Sequence, residues 1–334
     1  MLPMLTRLLM VSTFLALTAA AQTPRGWQKG KGFGWVYGAG DEVGALNAIN
    51  SPGHVLRAVR EIRTGRVYDL GVLLDKRSYK WPGHSAIEVM TYRSPAGTFL
   101  DEEPIFPPEA NRANLAWHSC ALFLSDNVGT QIDGLGHIVA GTDQHWYNGF
   151  TEQRHGGDFG VRKASADTIP PIVARAVLID VAAWKGVDAL PGRFAIGPEE
   201  LQGALRRQGV DVEPGDVVLI RTGVARYWGD TGADHARLAE HDSAGLSLAG
   251  ARWLVEQKAA VMIGSDTSGL EVASPGDVVP VHRYLLVDQG VHIGELHNLE
   301  ALARAGVYRF TYLAMTNRIK GATAGFALRP IAIH

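Results

Sequence analysis

The second half of the chain alternates buried apolar runs with amphipathic stretches. Ala174–Ala182, "ARAVLIDVA", is rich in β-branched residues and predicts a strand buried on both faces. "GPEELQGALRRQG" (197–209) has apolar positions at helical spacing between a Pro start and a Gly stop. "DVVLIRTG" (216–223) is a second buried strand, "SLAGARWLVEQKA" (247–259) a helix, and "AVMIGSD" (260–266) a third strand. "VHRYLLVDQG" (281–290) predicts another helix, "VHIGEL" (291–296) a short strand and "LEALARAG" (299–306) a short helix. "YRFTYLAM" (308–315) and "FALRPIAI" (326–333) close the chain as strands. Strand and helix in this order predict an α/β fold with a mixed sheet, with chemistry at strand ends and in the loops beyond them.

The first half is less regular. Ser51 and Pro52 form an N-cap and first helical position for a helix through about Arg63, with Gly65 as its stop. "RVYDLGVLL" (66–74) reads as a strand, "AIEVMTYR" (86–93) alternates as a half-buried one, and "CALFLS" (120–125) is a third. Thr23–Asn47 is rich in Gly and Trp without a period and predicts an ordered arm packed by its aromatics. Its glycines neither follow a strand nor open a helix, so they make no dinucleotide fingerprint.

Composition and the N-terminal segment add four points to this picture. The 334 residues, 46% hydrophobic, suffice for a sizeable core, and no linker, repeat or low-complexity block divides residues 22–334, which are expected to form a single domain. A net charge of −2 leaves no electrostatic footprint for nucleic acid or an anionic membrane. Residues 1–21 read as a signal peptide: Arg7, an apolar stretch from Leu8 to Thr18 too short to span a bilayer, and Ala19-Ala20-Ala21 as the cleavage site. This predicts a periplasmic or secreted protein without membrane contact after cleavage, the rival being an uncleaved N-terminal anchor. Cys120 is the sole cysteine, so no internal disulfide forms; its apolar run predicts a buried, inert thiol.

The densest chemistry lies in "NVGTQIDGLGH", Asn127–His137. If residues 127–133 run extended, Asn127, Gly129, Gln131 and Asp133 share one face. Gln131 and Asp133 are then roughly 6.5 Å apart, close enough to converge on one cation, whereas Asn127 is roughly 13 Å from Gln131 unless Gly129 bends the strand. Gly134 and Gly136 allow a turn that swings His137 back over Asp133. The plainer alternative is an ordinary turn flanked by satisfied core amides.

This segment resembles the His-x-Gly-Thr-His-x-Asp-x-Pro-x-His signature of the cyclase family of metal-dependent hydrolases, which includes arylformamidases, isatin hydrolase and trans-dienelactone hydrolase. "GDEVGALNAINSP" (40–52), "YNGF" (147–150), "GDVVLIRTG" (215–223), "IGSDTSGLE" (263–271), "VHRYLLVDQGVHIGE" (281–295) and "GATAGFALRPIAI" (321–333) look like family blocks in order. Asn127 and Gln131 replace the family's two histidines, and Leu135 its proline. The pattern GTQxDGLxH looks like a sub-branch near trans-dienelactone hydrolase.

The resemblance implies a mixed-sheet half-barrel with flanking helices, of the swivelling β/β/α kind. It also implies a divalent ion, Zn²⁺ before Mn²⁺, held by Gln131, Asp133, His282 and Glu295, with His137 on the ion or directly behind it. A carboxamide oxygen with carboxylates and imidazoles suits these ions. The implied activity is hydrolysis of a small cyclic or aromatic ester, lactone or amide, with His137 transferring the proton and Asp133 orienting the ion. Asn127 and Thr130 are candidate oxyanion donors. His145, Trp146, Tyr147 and Trp81 are candidate substrate walls, with His84 beside Trp81 in a flap, and Arg154 or Arg221 a candidate partner for a substrate carboxylate. Family members are commonly dimers or tetramers, and the apolar face of "VHRYLLVDQG" is the candidate subunit contact. A retired metal- or ligand-binding scaffold and a lyase are the competing functions. A serine hydrolase centred on Ser247 in "GLSLAG" is rejected, because Ser247 reads as the N-cap of the helix at Leu248.

Overall fold

The structure is a computed structural model that describes residues 34, 36–100, 107, 109–229, 233–274, 276 and 278–334. The expected signal segment and the start of the arm lie outside the described residues. In chain order the strands are β1 (Val67–Asp69), β2 (Glu88–Arg93), β3 (Ser119–Phe123), β4 (Gln131–Asp133), β5 (Ile172–Asp180), β6 (Ala195–Ile196) and β7 (Val217–Arg221). They continue with β8 (Gly245–Leu246), β9 (Met262–Ser265), β10 (His292–Glu295), β11 (Arg309–Ala314), β12 (Ala324–Gly325) and β13 (Ile331–Ile333). Nine of them make one mixed sheet in the order β1-β13-β11-β5-β7-β9-β10-β4-β12.

The four central strands, β5, β7, β9 and β10, run parallel. They are the continuous apolar runs, as burial on both faces requires. Val177, Val218, Ile263 and Ile293 are register partners across them, and all are fully buried. Each such side chain contributes about 1.5–3 kcal/mol on leaving water. The next register partner of Ile293, across antiparallel β4, is Asp133. The apolar row of the core thus runs directly into a buried carboxylate.

Helices make the crossovers. Pro198–Gln208 links β5 to β7: Glu200 Oε2 accepts from the Gly197 N–H at 3.0 Å, and Gly209 ends the helix at φ +66°. The stretch from Leu248 is α-helical to Arg252 and π-helical over Trp253–Gln257. Pro280–His282 likewise passes into a π segment, Arg283–Gln289, a form often found beside functional sites. Val281, Tyr284, Leu285 and Leu286 of this segment lie in the chain's own core. The apolar face expected to be free for subunit contact is therefore covered from within.

Two further expectations change. The first helix starts as foreseen, with Ser51 Oγ accepting from the His54 N–H, but spans Pro52–Val59. Beyond Val59 the Glu61 and Ile62 N–H groups donate three residues back, to the Ala58 and Val59 carbonyls, and the Thr64 and Arg66 N–H groups both donate to the His334 carbonyl at 3.0 Å. Cys120 is exposed, not buried. β2 and β3 pair only with each other, and among the described residues nothing covers this ribbon: Met90, Tyr92, Leu122 and Phe123 are each more than 60% exposed.

Candidate metal centre

β4 and β10 create the site. They pair antiparallel with Gln131 opposite Glu295, so Gln131, Asp133 and Glu295 project from one face. His282 reaches the same point from the crossover between β9 and β10. Its placement depends on Glu271: the carboxylate accepts from the Val281 N–H (2.9 Å) and the His282 N–H (3.2 Å), and also bonds His282 Nδ1. This leaves His282 Nε2 3.4 Å from Glu295 Oε1 and 3.7 Å from Asp133 Oδ2. One ligand atom from each of Asp133, His282 and Glu295 lies within 4.8 Å of the others, and all three residues are buried. Ligands about 2.0–2.2 Å from a shared tetrahedral ion stand about 3.3–3.6 Å apart, so the spacing fits one divalent cation after small adjustments.

Asp133 Oδ2 and Gln131 Oε1 are buried and have no hydrogen-bond partner. Two buried carboxylates side by side demand positive charge. Burial pushes the Glu295 carboxyl well above its ordinary range, and the charge of Asp133 pushes it further. Burial alone would pull the His282 imidazole down, but its bonds to Glu271 and Glu295 and the charge of Asp133 raise it to about 10. A histidine that ligates must be neutral, so ion binding here releases a proton.

The motif bends where Gly129 adopts φ +68°, so the stretch before Gln131 is not extended. The bend brings Asn127 Oδ1 to 3.1 Å from Gln131 Nε2. Gln131 Nε2 also donates to Asp133 Oδ1 (3.2 Å) and Glu295 Oε2 (2.8 Å). The second turn forms as expected: the His137 N–H donates to the Gly134 carbonyl at 3.0 Å. A Cβ at Gly134 would lie 2.8 Å from the Thr323 carbonyl oxygen, so only glycine fits. The turn sets the His137 ring 6.5 Å from that of His282, centroid to centroid. Burial pulls the His137 pKa below 6.5; the nearby charge of Asp133 opposes this, and His282 adds to it.

Other expected site residues are placed elsewhere. Thr130 Oγ1 donates to the Leu296 carbonyl (2.6 Å) and accepts from the Val72 N–H (3.0 Å), so it is no oxyanion donor. Trp146 and Tyr147 belong to the core: Trp146 Nε1 donates to the Lys163 carbonyl and Tyr147 OH to Asp41 Oδ2. They fill volume in the interior. His145 bonds Asp143 Oδ1 through Nδ1 at 2.7 Å. Arg154 is exposed on a short helix, Glu152–His155. Arg221 is buried and committed to Asp180 and Glu300. Trp81 stays half exposed against His84, whose Nδ1 is buried without a partner and whose charge bears on His137. His84 is thus the member of this pair near enough to act on His137.

Ser247 Oγ accepts from the Gly250 N–H and donates to the Ile196 carbonyl, the N-cap role expected of it. Ser247→Ala should lower stability by about 1 kcal/mol and leave turnover per folded molecule unchanged, as chemical denaturation and a rate assay would show. Two acidic residues carry positioning bonds that the motif did not reveal. Glu271 closes the "IGSDTSGLE" block and orients His282. Asp126, one residue before the motif, accepts from the Thr323 N–H (2.6 Å), Thr323 Oγ1 (2.9 Å), the Ala324 N–H (3.1 Å) and Asn127 Nδ2 (2.8 Å). The clue to both was an acidic residue at the edge of a recognisable block.

The pattern of the family described as "Putative cyclase" matches residues 68–272, more than half of the chain, and the chain belongs to this family. A crystal structure described as a novel cyclase superposes with TM-score 0.77 at 28% identity, over 90% of this chain and 96% of that one. Isatin hydrolase A from Labrenzia aggregata, bound to benzyl benzoate, gives 0.57 at 21% identity over 80% and 93%. The Ralstonia solanacearum isatin hydrolase A gives 0.57 at 20% over 80% and 91%. No curated protein matches the sequence. The shared fold is an open, curled mixed sheet with flanking helices, the half-barrel that the motif resemblance implied.

Proposed function

We propose that this chain is a metal-dependent hydrolase of a small cyclic or aromatic ester, lactone or amide. The observation that carries this reading is the convergence of Asp133 Oδ2, Glu295 Oε1 and His282 Nε2 in a buried site, with Gln131 Oε1 unpartnered beside them. These residues would hold the ion, Zn²⁺ ahead of Mn²⁺, with Gln131 offering a neutral oxygen. When bound, a divalent ion lowers the pKa of a coordinated water and polarises a carbonyl. The fold neighbours that are isatin hydrolases, one of them bound to the product analogue thioisatinate, support a cyclic, aromatic substrate.

His137 supplies the proton transfer. Its lowered pKa keeps the ring neutral at pH 7, so it can take a proton from the attacking water and return it to the leaving oxygen or nitrogen. Asp133, fixed by the Gln131 bond and the β4–β10 register, sets where the nucleophile stands relative to that ring.

The test is elemental analysis of purified protein with assays on a panel of lactones, aryl esters and N-formyl anilines, before and after chelation. One ion per chain and chelator-sensitive turnover are expected. Stoichiometric metal with no turnover on any substrate would favour a binding protein on the same scaffold. His137 must be unprotonated to act, so activity falls as pH drops through its folded pKa. Because that value lies below 6.5, the acid limb of kcat/KM should lie below pH 6.5. In His137→Gln the limb should vanish and kcat should fall about 10²–10⁴-fold. An unchanged limb in that variant would remove His137 from the mechanism.

A further inference from the structure

Asn127 stands where the family pattern has its first histidine, and its contacts do not suit a ligand. Its Nδ2 donates to Asp126 Oδ1 at 2.8 Å and to Thr323 Oγ1 at 3.4 Å. Its Oδ1 accepts from Gln131 Nε2 at 3.1 Å. The residue is buried, and both ends of its amide are engaged. Asp126 Oδ2 accepts from the Thr323 N–H, Thr323 Oγ1 and the Ala324 N–H, which anchors Asp126 to β12 at the edge of the sheet. A carboxylate held in this way can only accept, so it settles which end of the Asn127 amide faces the site.

The same logic passes to Gln131. Its nitrogen faces three acceptors: Asn127 Oδ1, Asp133 Oδ1 and Glu295 Oε2, at 2.8–3.2 Å. Turning the amide over would set an oxygen against three oxygens. Each carboxylate therefore has one oxygen held by Gln131, and the opposite oxygen, Asp133 Oδ2 or Glu295 Oε1, faces His282 Nε2. Gln131 Oε1 is left as the unpartnered end of the amide.

We propose that Asp126 and Asn127 form a relay that fixes the Gln131 amide and, through it, both carboxylates, so that Asn127 is a positioning residue and the centre holds a single divalent ion. This rests on the hydrolase reading above. A family member with histidine at both positions would offer two more imidazoles. Here the first is exchanged for a hydrogen-bond relay and the second for one neutral oxygen. Partners that orient ligands typically change metal affinity by about 10–100-fold when removed.

The experiment measures Zn²⁺ affinity by chelator competition, and ions per chain by elemental analysis, in the full-length protein. Unfolding of each variant is followed with chelator present, to separate loss of fold from loss of site. Wild type is expected to bind one ion. Asn127→Leu is expected to bind one ion about 10–100-fold more weakly, with its chelated unfolding midpoint close to wild type. The exchange Asp126→Asn with Asn127→Asp reverses the first bond of the relay and keeps the second: the 126 amide donates to the 127 carboxylate, which still accepts from Gln131 Nε2. It should restore affinity to within about threefold of wild type, a small part of the loss expected from Asn127→Leu. If Asn127 were a ligand, the exchange would put a carboxylate on the ion and tighten binding beyond wild type. Such tightening, a second ion per chain, or full affinity in Asn127→Leu would each overturn the relay while leaving the hydrolase reading intact. Wild type that takes up no divalent ion would overturn both.

Discussion

Asp133→Asn should leave a folded protein with less than stoichiometric metal and a kcat/KM lower by about 10³-fold or more, roughly 4 kcal/mol of transition-state stabilisation. Asp133 is fully buried, and its two oxygens have different duties. Oδ1 accepts from Gln131 Nε2, and Oδ2 faces His282 with no hydrogen-bond partner. An asparagine must direct an NH₂ group at one of them. Towards Gln131, two amide nitrogens meet; towards His282, an N–H points where a cation belongs. Either way the site loses one unit of negative charge. The fold should survive, because the Asp133 carbonyl still accepts from His292 Nδ1 at 2.8 Å and Ile132 stays in the core. Circular dichroism, metal content and initial rates on one preparation check the three parts. Full metal and full turnover in the variant would falsify the assignment of this centre.

What the sequence disclosed follows from the range of the forces involved. The four parallel strands were legible because burial on both faces leaves an unbroken apolar run, a local signal. Asp133 was legible from strand alternation beside Gln131, but His282 and Glu295 only through the family resemblance, since 149 residues separate Asp133 from His282 and no periodicity spans that gap. The bend at Gly129 was foreseeable from glycine's freedom; its outcome, an Asn127–Gln131 bond, depends on Asp126 being held by Thr323 and Ala324 from the far end of the chain. Two departures have a shared cause. Trp146, Tyr147 and Arg221 are large or charged and suit a substrate wall and the interior equally, and the structure places all three in the interior. Cys120 is the reverse case: an apolar run implies a covering layer, and β2 and β3 have none among the described residues.

Arg221 supplies the sharpest test of that distinction. Arg221→Met should lower the free energy of unfolding by about 3–5 kcal/mol and leave kcat/KM per folded molecule unchanged, for acidic and neutral substrates alike. Arg221 closes β7 and is the register partner of Asp180, which closes β5. Its Nη1 donates to Asp180 Oδ1 at 2.9 Å, and its Nε to Glu300 Oε1 at 2.7 Å. Burial alone would favour the neutral side chain, but the Glu300 bond and the Asp180 charge hold the guanidinium firmly protonated. Methionine matches the volume and leaves both carboxylates without their cation. Asp180 retains one partner, the Ala183 N–H at 2.9 Å, which moderates its loss; Glu300 has a carboxylate 13% exposed and gains little from solvent. A urea titration should show the midpoint falling at constant slope, because the fold itself is unchanged. Arg221→Lys should recover part of the loss, since an ammonium keeps the charge but cannot span both carboxylates in the same fork geometry. A residue that meets substrate would behave in the opposite manner, with stability intact and KM raised for acidic substrates only, and that outcome would return Arg221 to the active site.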